Sequence, residues 1–246
     1  NEQNLIMFTG NDLRGPMSSF VSPPVPRDSA DFLWTISTSN AGRTWTPRKV
    51  GITGDRTAVV GYHTPNFAPL FNNFGHMDVA VANNGIAHIV ANGYGQRFLN
   101  ATSDSVVGFQ FPVLYWNSRD NRWISISARA QDTIPNAIAA TLRPGNGIGQ
   151  SYPAISVSPD GQVLHAMWTG PQMTAGRVDT AQGFFLTDLY HTVSYTSGRT
   201  WHPVTVFAGR KNMSESFGHA AQYLQETATS YVAHILYLED TTPGVS

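Results

Sequence analysis

The sequence predicts an all-β chain of repeated four-stranded antiparallel units, and three observations carry that reading. The first is a turn that occurs twice. Thr38-Ser39-Asn40-Ala41-Gly42-Arg43-Thr44-Trp45 nearly repeats as Ser194-Tyr195-Thr196-Ser197-Gly198-Arg199-Thr200-Trp201. Both copies read as strand, tight polar turn, then Gly-Arg-Thr-Trp opening the next strand. The second is a hairpin that also occurs twice. Gly75-His76-Met77-Asp78-Val79-Ala80-Val81-Ala82-Asn83-Asn84-Gly85 matches Ser151-Tyr152-Pro153-Ala154-Ile155-Ser156-Val157-Ser158-Pro159-Asp160-Gly161. Val79 and Val81 align with Ile155 and Val157, and a period of two is that of a strand. Asn84-Gly85 and Asp160-Gly161 close the hairpins, because glycine supplies the positive φ such turns need. The third is the spacing of these copies, since self-similarity at a fixed period marks a repeat architecture.

The elements follow in order. Leu5-Ile6-Met7-Phe8-Thr9-Gly10 is a strand, and residues 32–50 form a hairpin around the first polar turn. The hairpin opening at Gly75 returns along His88-Ile89-Val90-Ala91-Asn92-Gly93, and a second hairpin spans 113–127. That one keeps the turn pattern loosely, as Tyr115-Trp116-Asn117-Ser118-Arg119-Asp120-Asn121-Arg122-Trp123. The hairpin opening at Ser151 returns along His165-Ala166-Met167-Trp168-Thr169-Gly170, followed by a hairpin over 189–207. A third copy runs over 218–239, with His234-Ile235-Leu236-Tyr237-Leu238 as its return strand.

The unit is four antiparallel strands, A to D, with a period of roughly 70 residues, which is the pattern of a β-propeller blade. The chain reads as one propeller domain over 1–246. It holds a partial blade at 1–52, blades at 75–128 and 151–209, and a partial blade at 218–246. About three blades is fewer than the four to eight of a closed ring. The expectation is a fragment, or one part of an assembly that completes a larger ring. Open strand edges would then pair with another chain or with the rest of the ring.

Composition bounds the function. Charged residues make up 13% of the 246 residues and the net charge is −1, so the surface must be largely uncharged and polar. The only lysines are Lys49 and Lys211, and no basic run points to nucleic acid. There is no cysteine, which excludes a disulfide framework, a thiol nucleophile and a cysteine zinc site. No apolar run reaches the length of a membrane span. This balance fits a secreted, periplasmic or cell-surface protein.

The twice-repeated turn resembles the Asp-box, Ser-x-Asp-x-Gly-x-Thr-Trp, of sialidase-like β-propellers. Asn40 and Thr196 stand where the family has Asp, and either side chain can accept the same turn hydrogen bond. Gly42, Thr44 and Trp45 match the motif, as do Gly198, Thr200 and Trp201. The resemblance implies a propeller and a structural role for these turns. It implies no one chemistry, because hydrolases, sorting receptors and assembly factors share the motif. Sialidases bind a carboxylate with three arginines, one of them in Arg-Ile-Pro, and use an Asp acid/base with a Tyr–Glu pair. This chain has no Arg-Ile-Pro, and Tyr62 with Glu215 is a nucleophile pair that composition alone allows.

Candidate site residues come from loop lengths. The A–B and C–D turns are short and share one face. The B–C loops (10–31, 93–106, 170–183) and the D–A links (51–75, 128–151) are long and share the other. Long loops on a rigid scaffold are where binding resides. The candidates on that face and at the channel mouth are Tyr62, His63, His76, Tyr94, Arg97, Arg143, Tyr152, Arg177 and His219. Of these, His76, Tyr152 and His219 open the innermost strands. Phe67 and Phe71 would add to an aromatic patch. His88, His165 and His234 occupy equivalent positions on strand B, where neighbouring blades fan apart, so they read as packing residues rather than metal ligands. The loop carboxylates Asp12, Asp28, Asp55, Asp104, Asp132 and Asp179 are scattered, and sequence cannot give the separation a glycosidase needs. No cofactor and no metal is implied. The expected function is a non-catalytic module that binds a protein or glycan, or that serves assembly. The alternative is a glycoside hydrolase with catalytic residues partly outside this chain.

Overall fold

The computed structural model describes residues 4–10, 32–52, 54–71, 76–133, 149–175, 177–181 and 184–241. They are all-β apart from one helical turn at Arg129–Asp132. Sheet I takes β1 (Asn4–Gly10), β2 (Phe32–Thr38) and β3 (Thr46–Ile52), each antiparallel to the next. β4 (Phe67–Pro69) lies in the connection that follows. Sheet II opens with β5 (Met77–Val81) and β6 (Ala87–Asn92). After the inserted hairpin of β7 (Gly95–Phe98) and β8 (Val106–Gln110), it continues with β9 (Val113–Asn117) and β10 (Trp123–Ser125). Its strands lie in the order β5-β6-β9-β10, while β4, β7 and β8 form a small sheet of their own.

Sheet III repeats the plan. β11 (Ser151–Val157) pairs with β12 (Leu164–Pro171). Two short hairpins intervene, β13 (Met173–Thr174) with β14 (Arg177–Val178) and β15 (Thr180–Ala181) with β16 (Phe184–Phe185). β17 (Thr187–Ser194) and β18 (Thr205–Ala208) then complete the order β11-β12-β17-β18. Sheet IV has two strands, β19 (Ser214–Ala220) and β22 (Ile235–Asp240). Its A–B connection is not the tight turn expected from the other copies; it carries the hairpin of β20 (Gln225–Glu226) and β21 (Tyr231–Val232).

The sheets pack face to face in chain order because their strands are apolar on both sides. β9 alternates its side chains between two cores. Leu114 and Trp116 join Leu33, Ile89 and Trp123 between sheets I and II. Val113 and Tyr115 join Val90, Ile155, Ala166 and Trp168 between sheets II and III. Ala154, Met167 and Leu189 meet Ala220, Ile235 and Tyr237 between sheets III and IV. Burial of each such large side chain contributes about 1.5–3 kcal/mol.

Polar groups tie the layers together. The Asp78 carboxylate accepts from its neighbour Val79 N at 2.8 Å and from Ile155 N on β11 at 2.9 Å. One side chain therefore bridges the first strands of sheets II and III. Ser156 Oγ donates to Ala221 O at 2.6 Å, making the corresponding link toward sheet IV. Trp123 Nε1 donates to Val50 O at 2.6 Å, joining sheet II to sheet I.

The repeated turns have the same geometry. Thr38 Oγ1 accepts from Gly42 N at 3.0 Å, and Asn40 Oδ1 accepts from Thr44 N at 2.9 Å. Ser194 Oγ accepts from Gly198 N at 2.9 Å, and Thr196 Oγ1 accepts from Thr200 N at 2.9 Å. Asn and Thr thus do for the backbone what the motif's Asp would. Gly42 and Gly198 sit at φ +81° and +80°. The tryptophans diverge. Trp201 packs edge-on against Tyr115 with centroids 5.0 Å apart, whereas Trp45 is 38% exposed.

Gly198 has a second reason to be glycine, because a Cβ there would overlap the Tyr115 hydroxyl and ring. Gly54, at φ +84°, would place a Cβ in open space. We predict that Gly198→Ala lowers stability by about 2–4 kcal/mol in urea denaturation, and that Gly54→Ala costs about 1 kcal/mol. Equal losses in the two variants would refute the packing role of the turn.

Candidate functional site

The tight turns meet at one end of the sheets. Asn84 Nδ2 donates to Asp160 O at 3.0 Å, and Arg119 donates to Ser197 O at 3.3 Å. The long connections gather at the other end, where three of them converge on a buried carboxylate. Asp132, in the helical turn after β10, is fully buried. Its Oδ1 accepts from Ser127 Oγ at 2.5 Å and from Gln150 Nε2 at 3.0 Å. Its Oδ2 faces Tyr62 OH at 3.1 Å and His63 Nδ1 at 3.7 Å. Gln110 Oε1 lies 3.2 Å from Tyr62 OH and accepts from Thr64 at 3.1 Å. Gln150 reaches further, accepting from Trp168 Nε1 at 2.7 Å.

Burial sets the charge states here. It pushes the Asp132 carboxyl up to about 6, against the opposing hydrogen bonds from Ser127, Gln150 and Tyr62. Burial also raises the Tyr62 phenol, and the Asp132 charge adds to that. Burial lowers His63, helped by the nearby Arg129. Burial thus favours the neutral form of each of these three groups.

A second feature of this end is open to solvent. A cleft of about 690 Å³ lies against sheet III, lined by Gln172, Thr174, Arg177, Asp179, Asp188 and Lys211 among others. Gln172 Nε2 donates to Asp188 Oδ1 at 2.6 Å, and Thr174 donates to Asp179 at 2.6 Å. Burial raises the Asp188 carboxyl, with Asp179 adding to the effect. Glu215 lies behind it, raised by burial, and accepts from Arg210 N at 3.1 Å. Arg177 and Lys211 are exposed and make no ion pair among the described residues.

The third feature is a row of rings where the first strands of the sheets begin. His76 stacks on Tyr152 at 4.0 Å, and Tyr152 meets Phe217 at 4.7 Å. Tyr152 and Phe217 occupy equivalent β-bulges at φ +52° and +55°. The sequence alignment put His219 in this row. The structure puts Phe217 there, because the bulge between Ser216 and His219 shifts the register, and His219 pairs with Leu236 instead.

The remaining candidates are dispersed. Tyr94 stacks on Phe109 at 5.4 Å, within a small core around Phe111. Arg97 is an exposed residue of β7, and Arg143 lies outside the described residues. Phe67 and Phe71 are buried core rather than surface patch. Tyr62 and Glu215 do not pair, since Tyr62 is bound to Asp132. The three strand-B histidines each have a partner of their own: His88 with Tyr115 at 2.8 Å, His165 with His191 at 3.1 Å and His234 with Gln225 at 2.8 Å. Sequence reasoning missed Gln110, Gln150 and Asp188, since no spacing marks a polar residue that meets its partner only through tertiary folding. No helix among the described residues is long and apolar enough to cross a membrane.

No protein-family model matches the chain, and no curated protein does. Among solved structures it is similar to a protein of unknown function from Dyadobacter fermentans DSM 18053. That likeness has 13% identity and a TM-score of 0.47, covering 96% of this chain and 59% of the other.

Asp132 makes a pH prediction. Its folded pKa of about 6 lies above the ordinary 3.8, so folding favours the protonated form. The associated stability is full below pH 3.8 and is lost as pH rises through 6, amounting to about 3 kcal/mol. Asp132→Asn is expected to flatten urea-denaturation stability between pH 4 and 7. A variant with the parent's slope across that window would show that Asp132 is not the titrating group.

Proposed function

We propose that the four sheets are blades of an Asp-box β-propeller, and that the chain is a non-catalytic, secreted or cell-surface module binding a glycan on the long-connection face. Support for the architecture comes from the serial face-to-face packing of the sheets. Contacts run from β5 to β11 and from β11 to β19, so the first strand of each sheet lies beside that of the next, as inner strands do around an axis. The cleft beside sheet III is the observation that carries the ligand reading. Its lining sets two cations without ion pairs beside carboxylates, an amide and a hydroxyl, and specificity for a hydroxyl-rich ligand rests on such convergent hydrogen-bonding groups.

A glycoside hydrolase is the second reading. The raised carboxyl of Asp188 on the cleft wall favours it, because a general acid must keep its proton near neutral pH.

Glycan-array binding followed by calorimetry tests the proposal. Arg177→Ala and Lys211→Ala are each expected to weaken the best ligand by about fivefold to fiftyfold, with the fold unchanged, since a hydrogen bond involving a charged group contributes about 1–3 kcal/mol. Binding that is indifferent to both variants would remove the cleft as the site. Release of fluorophore from aryl glycosides, lost in Asp188→Asn, would replace the binding reading with the hydrolase.

A further inference from the structure

The cleft beside sheet III is built so that two walls stand on one fixed floor. Gln172 follows β12, and its Nε2 donates to Asp188 Oδ1 on β17 at 2.6 Å and to Arg210 O after β18 at 3.0 Å. One amide therefore joins three strand ends. The first wall is the β13–β14 hairpin, where Thr174 pairs with Arg177. It is tied to the floor by Asp179 N, which donates to Gln172 O at 2.9 Å. The second wall is the turn over 210–213, closed by Met213 N donating to Arg210 O at 3.2 Å. Gly209 lets this turn come down onto the floor, since a Cβ there would stand 3.1 Å from Asp188 Cγ.

Floor and walls differ in charge. Asp188 is 6% exposed, and burial favours its neutral form. The Asp179 carboxylate is engaged within its own hairpin, accepting from Thr174 Oγ1 at 2.6 Å. Arg177 on one wall and Lys211 on the other are exposed and without an ion pair among the described residues. Lys211 is one of only two lysines in the chain. A concave site with two such cations favours an anion. Their chemistry narrows its shape. A planar carboxylate is held best by the parallel N–H groups of arginine forks. Here a single fork is set with a lysine, which acts as a point charge. The Thr180 hydroxyl and the Asn212 amide share the lining. Donors of such different geometry, set on separate walls, suit a tetrahedral oxyanion.

We propose that the cleft selects glycans carrying a sulfate or phosphate ester, with the ester seated between Arg177 and Lys211 and the sugar ring over Gln172 and Asp188. This names the ligand class of the glycan reading and rests on it.

Calorimetric titration of the intact protein with matched sugars tests it. A chondroitin sulfate tetrasaccharide is compared with unsulfated chondroitin, which keeps the same uronate carboxylates, and mannose 6-phosphate with mannose. The better of the two esters is expected to bind about tenfold or more tighter than its parent sugar, as a charge-assisted hydrogen bond would give. That advantage should shrink as salt is raised. Arg177→Glu and Lys211→Glu are each expected to abolish it, and Lys211→Arg to keep it. Arg43→Glu, at the tight-turn end, should leave it unchanged. Matching melting curves establish that the variants fold. An advantage that survives both cleft variants, or that Arg43→Glu removes equally, would assign it to general surface charge and overturn the proposal. Equal binding of esters and parents would overturn it too, yet leave the glycan reading standing if Arg177→Ala still weakens the neutral sugar. Absence of binding to any glycan would remove both.

Discussion

Sheets II and III are apolar on both faces, and most of the structure follows from that. A sheet with one apolar face needs one neighbour, but a sheet with two needs a neighbour on each side. β9 shows the constraint most plainly, with Leu114 and Trp116 committed to one core and Val113 and Tyr115 to the other. Sheets built this way must stack in series, each stabilised by its neighbours, so stability resides in interfaces rather than in any one unit. Serial stacking also sets the burial of β17, whose residues are well buried toward sheet II and partly open toward the two-stranded sheet IV.

Face-to-face stacking leaves only the two ends of the sheets for connections, and the two ends are used differently. One end is closed by tight turns whose side chains cap their own backbone. There Tyr115 carries the join between neighbours. Its hydroxyl lies 3.4 Å from Ser197 O, as donor, and 2.8 Å from His88 Nδ1. If the hydroxyl donates to Ser197 O, His88 Nδ1 must donate to the hydroxyl, which leaves Nε2 as a bare acceptor. Burial, with Arg119 nearby, lowers His88 to about 4, so the ring stays neutral. At the other end the connections are too long to cap themselves. A buried carboxylate, Asp132, collects donors from several of them at once. Leaving such groups unpaired costs more than their hydrogen bonds return, so the cluster fixes loops that would otherwise have no reason to meet.

The strands were legible because period-two apolar patterning and Asn-Gly or Asp-Gly turns are local signals. So were the turns at Gly42 and Gly198, where a positive φ is written into the residue itself. The long-connection end was much less legible. Tyr62 and His63 could be placed on the right face from loop length, but their partner Asp132 was one of six loop carboxylates with nothing to distinguish it. Its role depends on Gln110 and Gln150, which come from separate connections. Phe67 and Phe71 read as surface aromatics because they lie in a long link, yet that link folds back over sheets I and II and buries them. The misplacement of His219 has a different cause. A β-bulge inserts residues without altering the apolar alternation on either side, so the repeat alignment slid past it and took a neighbouring residue for the one in register.

That bulge occurs twice, and its recurrence constrains what it is for. Tyr152 and Phe217 are bulky residues in left-handed backbone, a conformation that costs about 1–3 kcal/mol where nothing compensates. A single instance could be an accident of one loop. Two instances at the same point of successive sheets, with rings aligned on each other and on His76, show that the arrangement of the rings is what the strain supports. Without the bulge, the first strands of sheets III and IV would continue straight, and alternation would send each ring to the side of its own sheet. With it, the rings leave their sheets and stack across the gap between neighbouring first strands. There they take over from backbone ties such as Asp78 to Ile155 and Ser156 to Ala221. The tight-turn end of this seam is held by hydrogen bonds and the long-connection end by aromatic contact.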